Sequence, residues 1–191
     1  MKYSIIFFLV FVSFSFSQTK NEKEERIKAY EFPEIPLDYF NTISSNVKYL
    51  KFYRETDGTK KSFEAKFKYN KQHYSVEFDT IGNLEDIEIV IRKKDIPKTV
   101  LMNISKHFDD KFEKARFIKI QKQFINTTPK TDKQFLDYIL KKPNNKHTHF
   151  EIIAEIKTKE HHQLRELTFD KDGTFEKSRI VTSASYEHAL Y

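Results

Sequence analysis

The stretch that decides the fold is Phe78-Asp79-Thr80-Ile81-Gly82-Asn83-Leu84-Glu85, because a later stretch repeats its pattern. The form F-D-x-x-G-x-[L/F]-E recurs in Phe169-Asp170-Lys171-Asp172-Gly173-Thr174-Phe175-Glu176. Both copies run on, at the same distance, to an Ile-Val pair: Ile89-Val90 and Ile180-Val181. An aspartate that bonds the backbone ahead of it, followed three residues later by glycine, is typical of a bulged hairpin turn. The sequence therefore predicts the same strand–turn–strand unit twice.

A helix is predicted to open each unit. Ile35-Pro36 and Ile96-Pro97 place proline in a first helical turn, and apolar residues follow at helical spacing. Behind each helix, alternation such as Phe63, Ala65 and Phe67 between charged residues predicts half-buried antiparallel strands. The predicted fold class is α+β: a tandem repeat of one helix plus a four-stranded antiparallel meander sheet, with the helices packed on one face of the sheet.

The first residues form a predicted secretory signal peptide at 1–17. Met1-Lys2 supplies a positive start, Ile5 to Val12 is unbroken apolar sequence, and small residues precede a cleavage site near Ser17-Gln18. This predicts a periplasmic or secreted protein with no membrane span in the mature chain. No Cys follows the apolar run, which excludes a lipid-anchored lipoprotein.

The mature chain is predicted to divide into four parts. A flexible leader at 18–32 precedes a first repeat at 33–94, a second repeat at 95–182 and a tail at 183–191. The second repeat carries a helical insertion at 127–147, in which Asp132 caps a helix with one apolar side. We interpret this helix as a plug at the end of the sheet in preference to a binding flap.

Composition excludes several classes of function. The chain has no Cys, so it has neither disulfides nor thiolate metal sites. Its net charge of +6 comes from lysines scattered between acidic residues, without an arginine cluster, which argues against a nucleic-acid partner. We find no Gly-rich phosphate loop and no nucleophile motif, and we predict a protein that is not an enzyme and needs no cofactor.

Histidine and aspartate offer two candidate metal sites, and we prefer a simpler interpretation of each. His147 and His149 would point the same way on a strand, as zinc or copper ligands do, but no third ligand lies nearby in sequence. We therefore expect exposed, unpaired histidines there. Asp170 to Gly173 faintly matches a calcium loop but lacks its further oxygen ligands, and turn chemistry explains it better.

These strand–turn–strand pieces, Tyr74 to Val90 and Leu167 to Val181, together with the two Ile-Pro helix openings, resemble the β-lactamase-inhibitor-like, PepSY-like tandem-repeat domains of exported bacterial proteins. The resemblance implies two sheets side by side forming a curved surface, no enzymatic activity, and binding or inhibition of another envelope or secreted protein. It supplies no contact residues, since no inhibitory loop matches.

The resulting hypothesis is a non-catalytic exported protein that binds a protein or peptide through a curved antiparallel sheet. Aromatic residues are the candidate contacts, namely Tyr53, Tyr69, Phe135 and Tyr138, although strand alternation also favours core positions for several of them. The alternative is a binder of an acidic cell-wall polymer or small molecule, for which a concave pocket lined by Lys and Tyr would be the sign. A hydrolase ranks third and would need a clustered Ser-His-Asp or His-carboxylate site, with two such groups within hydrogen-bond reach in one cleft.

Overall fold

A computed structural model describes residues 18–43, 46–143 and 148–182. The signal peptide predicted at 1–17, the tail at 183–191 and His147 lie outside this range. The strands are β1 Gln18–Lys20, β2 Glu22–Ile27, β3 Lys48–Asp57, β4 Lys60–Tyr69, β5 Gln72–Phe78, β6 Leu84–Val90, β7 Lys114–Phe124, β8 His149–Lys157, β9 His162–Asp170 and β10 Phe175–Val181. The helices are α1 Glu34–Asn41, α2 Lys98–Lys111 and α3 Asp132–Lys141. None of these helices is long and apolar enough to cross a membrane.

The ten strands form a single sheet, and the predicted fold class is wrong. Their order is β1-β10-β9-β8-β7-β6-β5-β4-β3-β2, so β3 to β10 lie side by side in chain order. The sheet is mixed, because β1 pairs parallel with β10, whereas the other neighbouring strands of the described chain pair antiparallel. It curls until it is nearly closed, like a barrel, and three helices accompany it. We predicted separate four-stranded sheets with one helix each, whereas the structure has one continuous curved sheet.

The N-terminal segment closes the sheet. β1 and β2 are separated only by Asn21, yet β1 pairs with β10 at one edge and β2 pairs with β3 at the other. The Asn21 amide donates to Asp57 Oδ1 at 3.0 Å, which fixes the crossing point. This segment was predicted as a flexible leader because it has no apolar alternation. Its alternating side chains are charged, and they face a polar interior.

The hydrophobic cores lie between the helices and one face of the sheet. Phe40 of α1 and Phe135 of α3 share a first core with Phe67 and Phe78 of the sheet. A second core joins residues of α2 to β8 and β9, and Ile91 packs against both cores. The main buried residues of the second core are Ile96, Ile104, Phe108, Phe150, Ile152, Ile156, Leu167 and Phe169.

The hairpin turns that decided the sequence interpretation are confirmed. Asp79 Oδ1 accepts from the amides of Ile81 and Asn83, both at 2.9 Å. In the later copy, Asp170 Oδ1 accepts from Asp172 at 2.9 Å and from Thr174 at 2.7 Å. The glycines have positive φ, 93° for Gly82 and 84° for Gly173. Each is in close contact with a first helical turn: a Cβ on Gly82 would lie 3.0 Å from Pro36, and one on Gly173 would lie 2.7 Å from the Val100 carbonyl.

The helix openings correspond differently from the prediction. Pro97 is the N-cap of α2, but Pro33 is the N-cap of α1, and Pro36 lies inside that helix's first turn. A 3-10 turn precedes each N-cap: Ala29–Glu31 before Pro33, and Lys93–Asp95 before Pro97. The carboxylate of the last residue of each turn accepts a hydrogen bond from the backbone amide three residues earlier. Pro33 therefore corresponds to Pro97. Sequence alone favoured Pro36 because Ile-Pro occurs at both positions.

Candidate functional site

The face of the sheet that carries no helices is turned inward. On β4, Ser62, Glu64 and Lys66 point away from the core, in alternation with Phe63, Ala65 and Phe67, which pack in the first core. Such a face was predicted to be wet, but the curl of the sheet encloses it, and Glu64 is only 8% exposed. We call this space the charged interior. Its titratable side chains are the acidic Glu22, Glu24, Glu55, Glu64, Glu77, Asp86, Glu88 and Glu151 and the basic Lys20, Lys60, Lys66, Lys119, Lys177 and Arg179.

Ion pairs in the charged interior connect the two edges of the sheet. Glu166 on β9, 2% exposed, lies 2.6 Å from Lys20 Nζ and 2.7 Å from Arg179 Nη2. Arg179 on β10 also contacts Asp57 of β3 at 2.6 Å. Burial would raise the pKa of Glu166, but the charges of Lys20 and then Arg179 lower it to about 2. Glu166 is therefore ionised at neutral pH, and its negative charge holds together Lys20 of β1 and Arg179 of β10 where the sheet closes.

Other carboxyl groups of the charged interior hold protons. Burial, then a hydrogen bond with Glu22, raises the pKa of Glu55 to about 12. Burial, followed by neighbouring carboxylates, also raises the pKa values of Asp86 and Glu88 well above the ordinary range. Gln121 donates to Glu88, and Gln123 donates to Asp86 at 2.9 Å. The interior thus contains a neutral Glu55, and carboxyl groups with raised pKa values, beside the ionised Glu166.

This arrangement predicts a pH-dependent stability. Because the folded-state pKa of Glu55 lies above its ordinary value of 4.5, the folded protein binds more protons, and its stability falls as pH rises between these values. We expect Glu55→Gln to flatten the fall in free energy of unfolding between about pH 5 and 10, by up to about 1 kcal/mol per pH unit. Urea unfolding across this pH range measures it.

Glu25→Gln is the control for that prediction, because Glu25 is an exposed residue of β2 that pairs with Arg54 on the outside. It should leave the slope unchanged. A slope in Glu55→Gln equal to that of the unmodified protein would contradict the assignment of a neutral Glu55.

One acidic cluster has the spacing of a cation site. One carboxylate oxygen each from Glu24, Glu55 and Glu64 lie within 4.8 Å of one another. The ammonium group of Lys66 lies 2.6 Å from Glu24 and 3.1 Å from Glu64. A lysine side chain thus already supplies the positive charge that a metal ion would bring. The cluster is explained as an internal ion pair.

The histidines are paired with acids, contrary to the expectation of unpaired side chains. His149 Nε2 lies 3.3 Å from Glu176, and His162 Nε2 lies 3.0 Å from Glu155. The second pair lies in a shallow cleft, which meets the condition set for a hydrolase, a histidine and a carboxylate within hydrogen-bond reach. The other residues lining that cleft are Arg116, Ile118, Gln163 and Leu164, so its described walls provide no hydroxyl or thiol nucleophile beside His162.

The charged interior opens at one end into a wider cavity, which we call the mouth. Its walls are the start of β3, the end of β4, the start of β5 and neighbouring parts of β6 and β7, and its volume is 470 Å³. The mouth is lined by Tyr49, Lys51, Tyr53, Lys66, Lys68, His73, Tyr74, Val90 and Lys119, with Glu24 as its acidic residue. Lysine and tyrosine therefore dominate a concave surface.

Like charges lie opposite each other in the mouth. Across β3 and β4, Lys48 pairs with Lys68 and Lys51 pairs with Lys66. Directly opposed like charges destabilise a sheet. Lys66 is neutralised by Glu24, but in the described part of the chain no carboxylate forms a salt bridge with Lys51 or Lys68. The mouth thus holds positive charge that no carboxylate of the described residues compensates by a salt bridge.

Tyr49 adds backbone strain at the same place. The pairing of β3 with β4 is irregular between Lys48 and Lys51, and Tyr49 within this irregularity has φ 59° and is 74% exposed. A bulky residue in the left-handed region is uncommon, and such outliers concentrate at functional sites. The strain turns an aromatic ring outward at the rim of the mouth.

A second cavity adjoins the mouth, and we call it the side slot. It has a volume of 780 Å³, lies between the ends of β6 and β7, and shares His73, Val90 and Lys119 with the mouth. Its remaining lining residues are Ile91, Arg92, Lys93, Ala115, Arg116, Phe117, Ile118 and Ile120. The side slot is therefore apolar along its floor and basic at its rim.

Comparison with known proteins gives one structural similarity. No protein-family model and no curated protein matches the chain. The chain is similar to a BLIP-like protein. That protein, from Bacteroides fragilis NCTC 9343, is known from a crystal structure at 1.20 Å resolution; it shares 16% identity, covers 80% of this chain and 89% of its own, and superposes with a TM-score of 0.49. A similarity at this level carries no argument about function, and the PepSY-like part of the predicted resemblance is not shown.

The four aromatic residues predicted as contacts do not form one site. Tyr53 lines the mouth, where Lys66 lies over its ring at 5.2 Å. Tyr69 lies next to Tyr74, with ring centroids 6.3 Å apart. Phe135 is buried in the first core, and Tyr138 on α3 lies between Lys130 and Lys142. Their role in binding stays a prediction.

Sequence reasoning missed Tyr49, Lys51, Lys68 and Lys119. Lysines on the polar side of a strand look like solvated surface in a sequence, and only the closure of the sheet brings those of β3, β4 and β7 together. The weak signal was the run of lysines at alternate positions, Lys66 and Lys68 on β4, opposite further lysines on β3.

Proposed function

We propose that this protein is a non-catalytic exported protein whose mouth binds an acidic segment of a partner protein. The observation that carries the proposal is the uncompensated charge of Lys51 and Lys68 beside exposed Tyr49 and half-buried Tyr53. Export rests on the predicted signal peptide. The binding surface differs from the one expected from the sequence: it is the open end of the curved sheet, since ion pairs fill the deeper part.

Interface physics accounts for such binding. Tyrosine buries a large area at a small entropic cost, and lysine at a rim attracts acidic ligands and accelerates their association. A bound anion would relieve the repulsion between Lys48 and Lys68. Because exposed charges are screened, binding of this kind weakens as salt concentration rises.

The second candidate function is binding of an acidic cell-wall polymer or an acidic small molecule. The specific observation in its favour is that the mouth is a concave pocket lined by Tyr49, Tyr53 and four lysines. A negatively charged sugar stacks on tyrosine and pairs with lysine as readily as a carboxylate-rich peptide does.

Charge reversal in the mouth provides the test. We expect the double variant Lys51→Glu, Lys68→Glu to bind an oligo-glutamate peptide roughly tenfold more weakly or worse, because attraction becomes repulsion. Titration calorimetry at low and at physiological salt measures it, and the unmodified protein should lose affinity as salt rises.

The matched control is Lys23→Glu, Lys61→Glu, which changes net charge equally but at the other end of β2 to β4, next to Thr56. This variant should keep most of the affinity. Equal losses in both double variants would mean that only net charge matters, and the mouth would then not be the site.

A further inference from the structure

Strand β7 extends beyond the residues that pair with β6. β6 pairs with Gln121 to Phe124, and the last hydrogen bond on that side joins the Ile91 amide to the Ile120 carbonyl at 2.9 Å. β8, on the other side, pairs with β7 from Lys114 to Gln123. Within the described residues, the strand pairing of 114–119 is therefore one-sided. We call this piece of β7 the open edge.

The segment that follows β6 turns away from the neighbouring strand β7 at a fixed place. After Val90 it enters the 3-10 turn Lys93–Asp95, in which the Asp95 carboxylate accepts from the Arg92 amide at 3.1 Å and from Arg92 Nε at 3.0 Å. Pro97 then begins α2. This turn directs the chain away from the sheet, so the side slot beside the open edge is part of the folded architecture.

The side slot fits one more strand. In an antiparallel strand, every second residue directs its backbone N–H and C=O to the same neighbour, so the open edge presents donors and acceptors to the slot. Six residues of β7 span about 20 Å of strand. Val90 and Ile91, which pair with Gln121 and Ile120 of β7, border the slot at the end nearest β6. Side chains of Phe117 and Ile118 provide apolar contacts.

The basic residues around the side slot determine which kind of peptide strand can bind there. The lining of the side slot includes Arg92, Lys93, Arg116 and Lys119, and none of its described lining residues is acidic. Arg92 and Arg116 already pair with Asp95 and Glu155 outside the lining, so Lys93 and Lys119 carry most of the charge available to a ligand. Lys93 lies 4.8 Å from the centre of the Phe117 ring. A second copy of this chain, adding through the same edge, would bring Lys114 and Arg116 against their own equivalents, which is unfavourable. Basic residues and the irregular register between Phe117 and Lys119 thus protect the edge from self-pairing.

We propose that an extended, acidic polypeptide segment adds to the open edge as an extra β-strand in the side slot, with its acidic side chains reaching the lysines of the mouth. Addition of a strand combines affinity from backbone hydrogen bonds with specificity from side-chain contacts. The inference rests on the proposed function and names its occupant as an extended peptide.

Amide hydrogen exchange of the full mature chain tests this proposal. The probe is a ten-residue peptide that alternates Glu with Val. We expect the amides of 114–119 that face the slot to exchange at least tenfold more slowly when the peptide is bound, whereas the amides of β4 and β5 keep their rates. A peptide of the same sequence with every second amide methylated should bind at least tenfold more weakly, because it cannot complete the ladder.

The outcomes separate the two proposals. Salt-sensitive binding of both peptides, without protection of 114–119, would overturn strand addition and leave the mouth as the binding site. Binding of a uronic acid oligomer but of neither peptide would overturn strand addition in favour of the acidic polymer. If no probe binds, both proposals fail.

Discussion

Replacing Glu166 with Gln is expected to lower the free energy of unfolding at neutral pH by about 3 kcal/mol, because it leaves two cations inside the protein without their shared anion. Lys20 and Arg179 both contact Glu166 within 2.7 Å. Lys20 would keep Glu22, and Arg179 would keep Asp57, which places the loss at the lower end for broken buried pairs. Urea unfolding at pH 7 measures the change.

The pH dependence of this effect has a definite sign. The pKa of Glu166 is depressed to about 2, so the stability it contributes is present above its ordinary pKa and is lost as pH falls from about 4.5 towards 2. The difference in free energy of unfolding between Glu166→Gln and the unmodified protein should narrow as the pH falls from about 4.5 towards 2. Glu155→Gln removes surface pairs with Arg116 and His162 and should change the free energy of unfolding far less, because exposed pairs are screened by solvent. Similar losses in both variants would contradict a buried closure.

Replacing Gly173 with Ala is expected to cost about 3 kcal/mol. The added Cβ would lie 2.7 Å from the Val100 carbonyl oxygen, which belongs to the backbone of α2, so that the helix has to move. The φ of 84° adds the strain of the left-handed region. Thermal or urea unfolding of the variant gives the free energy.

The other two glycines provide a graded series. Gly58 has φ 61° and open space around it, so Gly58→Ala should cost only about 1 kcal/mol for the backbone conformation. At Gly82 the nearest atom is the Pro36 side chain at 3.0 Å, and an intermediate loss is expected. If Gly173→Ala and Gly58→Ala were equally stable, the close contact between the turn and α2 would be wrong.

Local sequence patterns predicted local structure well. Asp79 and Asp170 with their glycines predicted two turns, because the side chain and the backbone that it bonds are neighbours in sequence. The helical spacing after Pro97 predicted α2 for the same reason. The closure of the sheet was not predictable in this way. Lys20, Glu22 and Glu24 look like a solvated segment, and their partners, such as Glu166 and Lys66, are distant in sequence.

The candidate site was predicted only in part. Tyr53 was identified as a contact and lies in the mouth. Phe135 was also identified, but aromatic type alone does not distinguish a core ring from an exposed one, and its helix buries it. The sequence named lysine and tyrosine as the sign of an acidic ligand without indicating which residues form the pocket, because that depends on how far the sheet curls.

The crossing of the N-terminal segment from one edge of the sheet to the other also constrains the order of folding. Lys20 and Glu166, which meet at 2.6 Å, are 146 residues apart in the chain. Joining such distant residues costs loop-closure entropy, and topologies rich in such pairings fold slowly. The meander of β3 to β10 can form from neighbours alone, whereas the first strand waits for the last one to emerge. The nascent protein therefore leaves β1 without its partner strand until its synthesis is nearly finished.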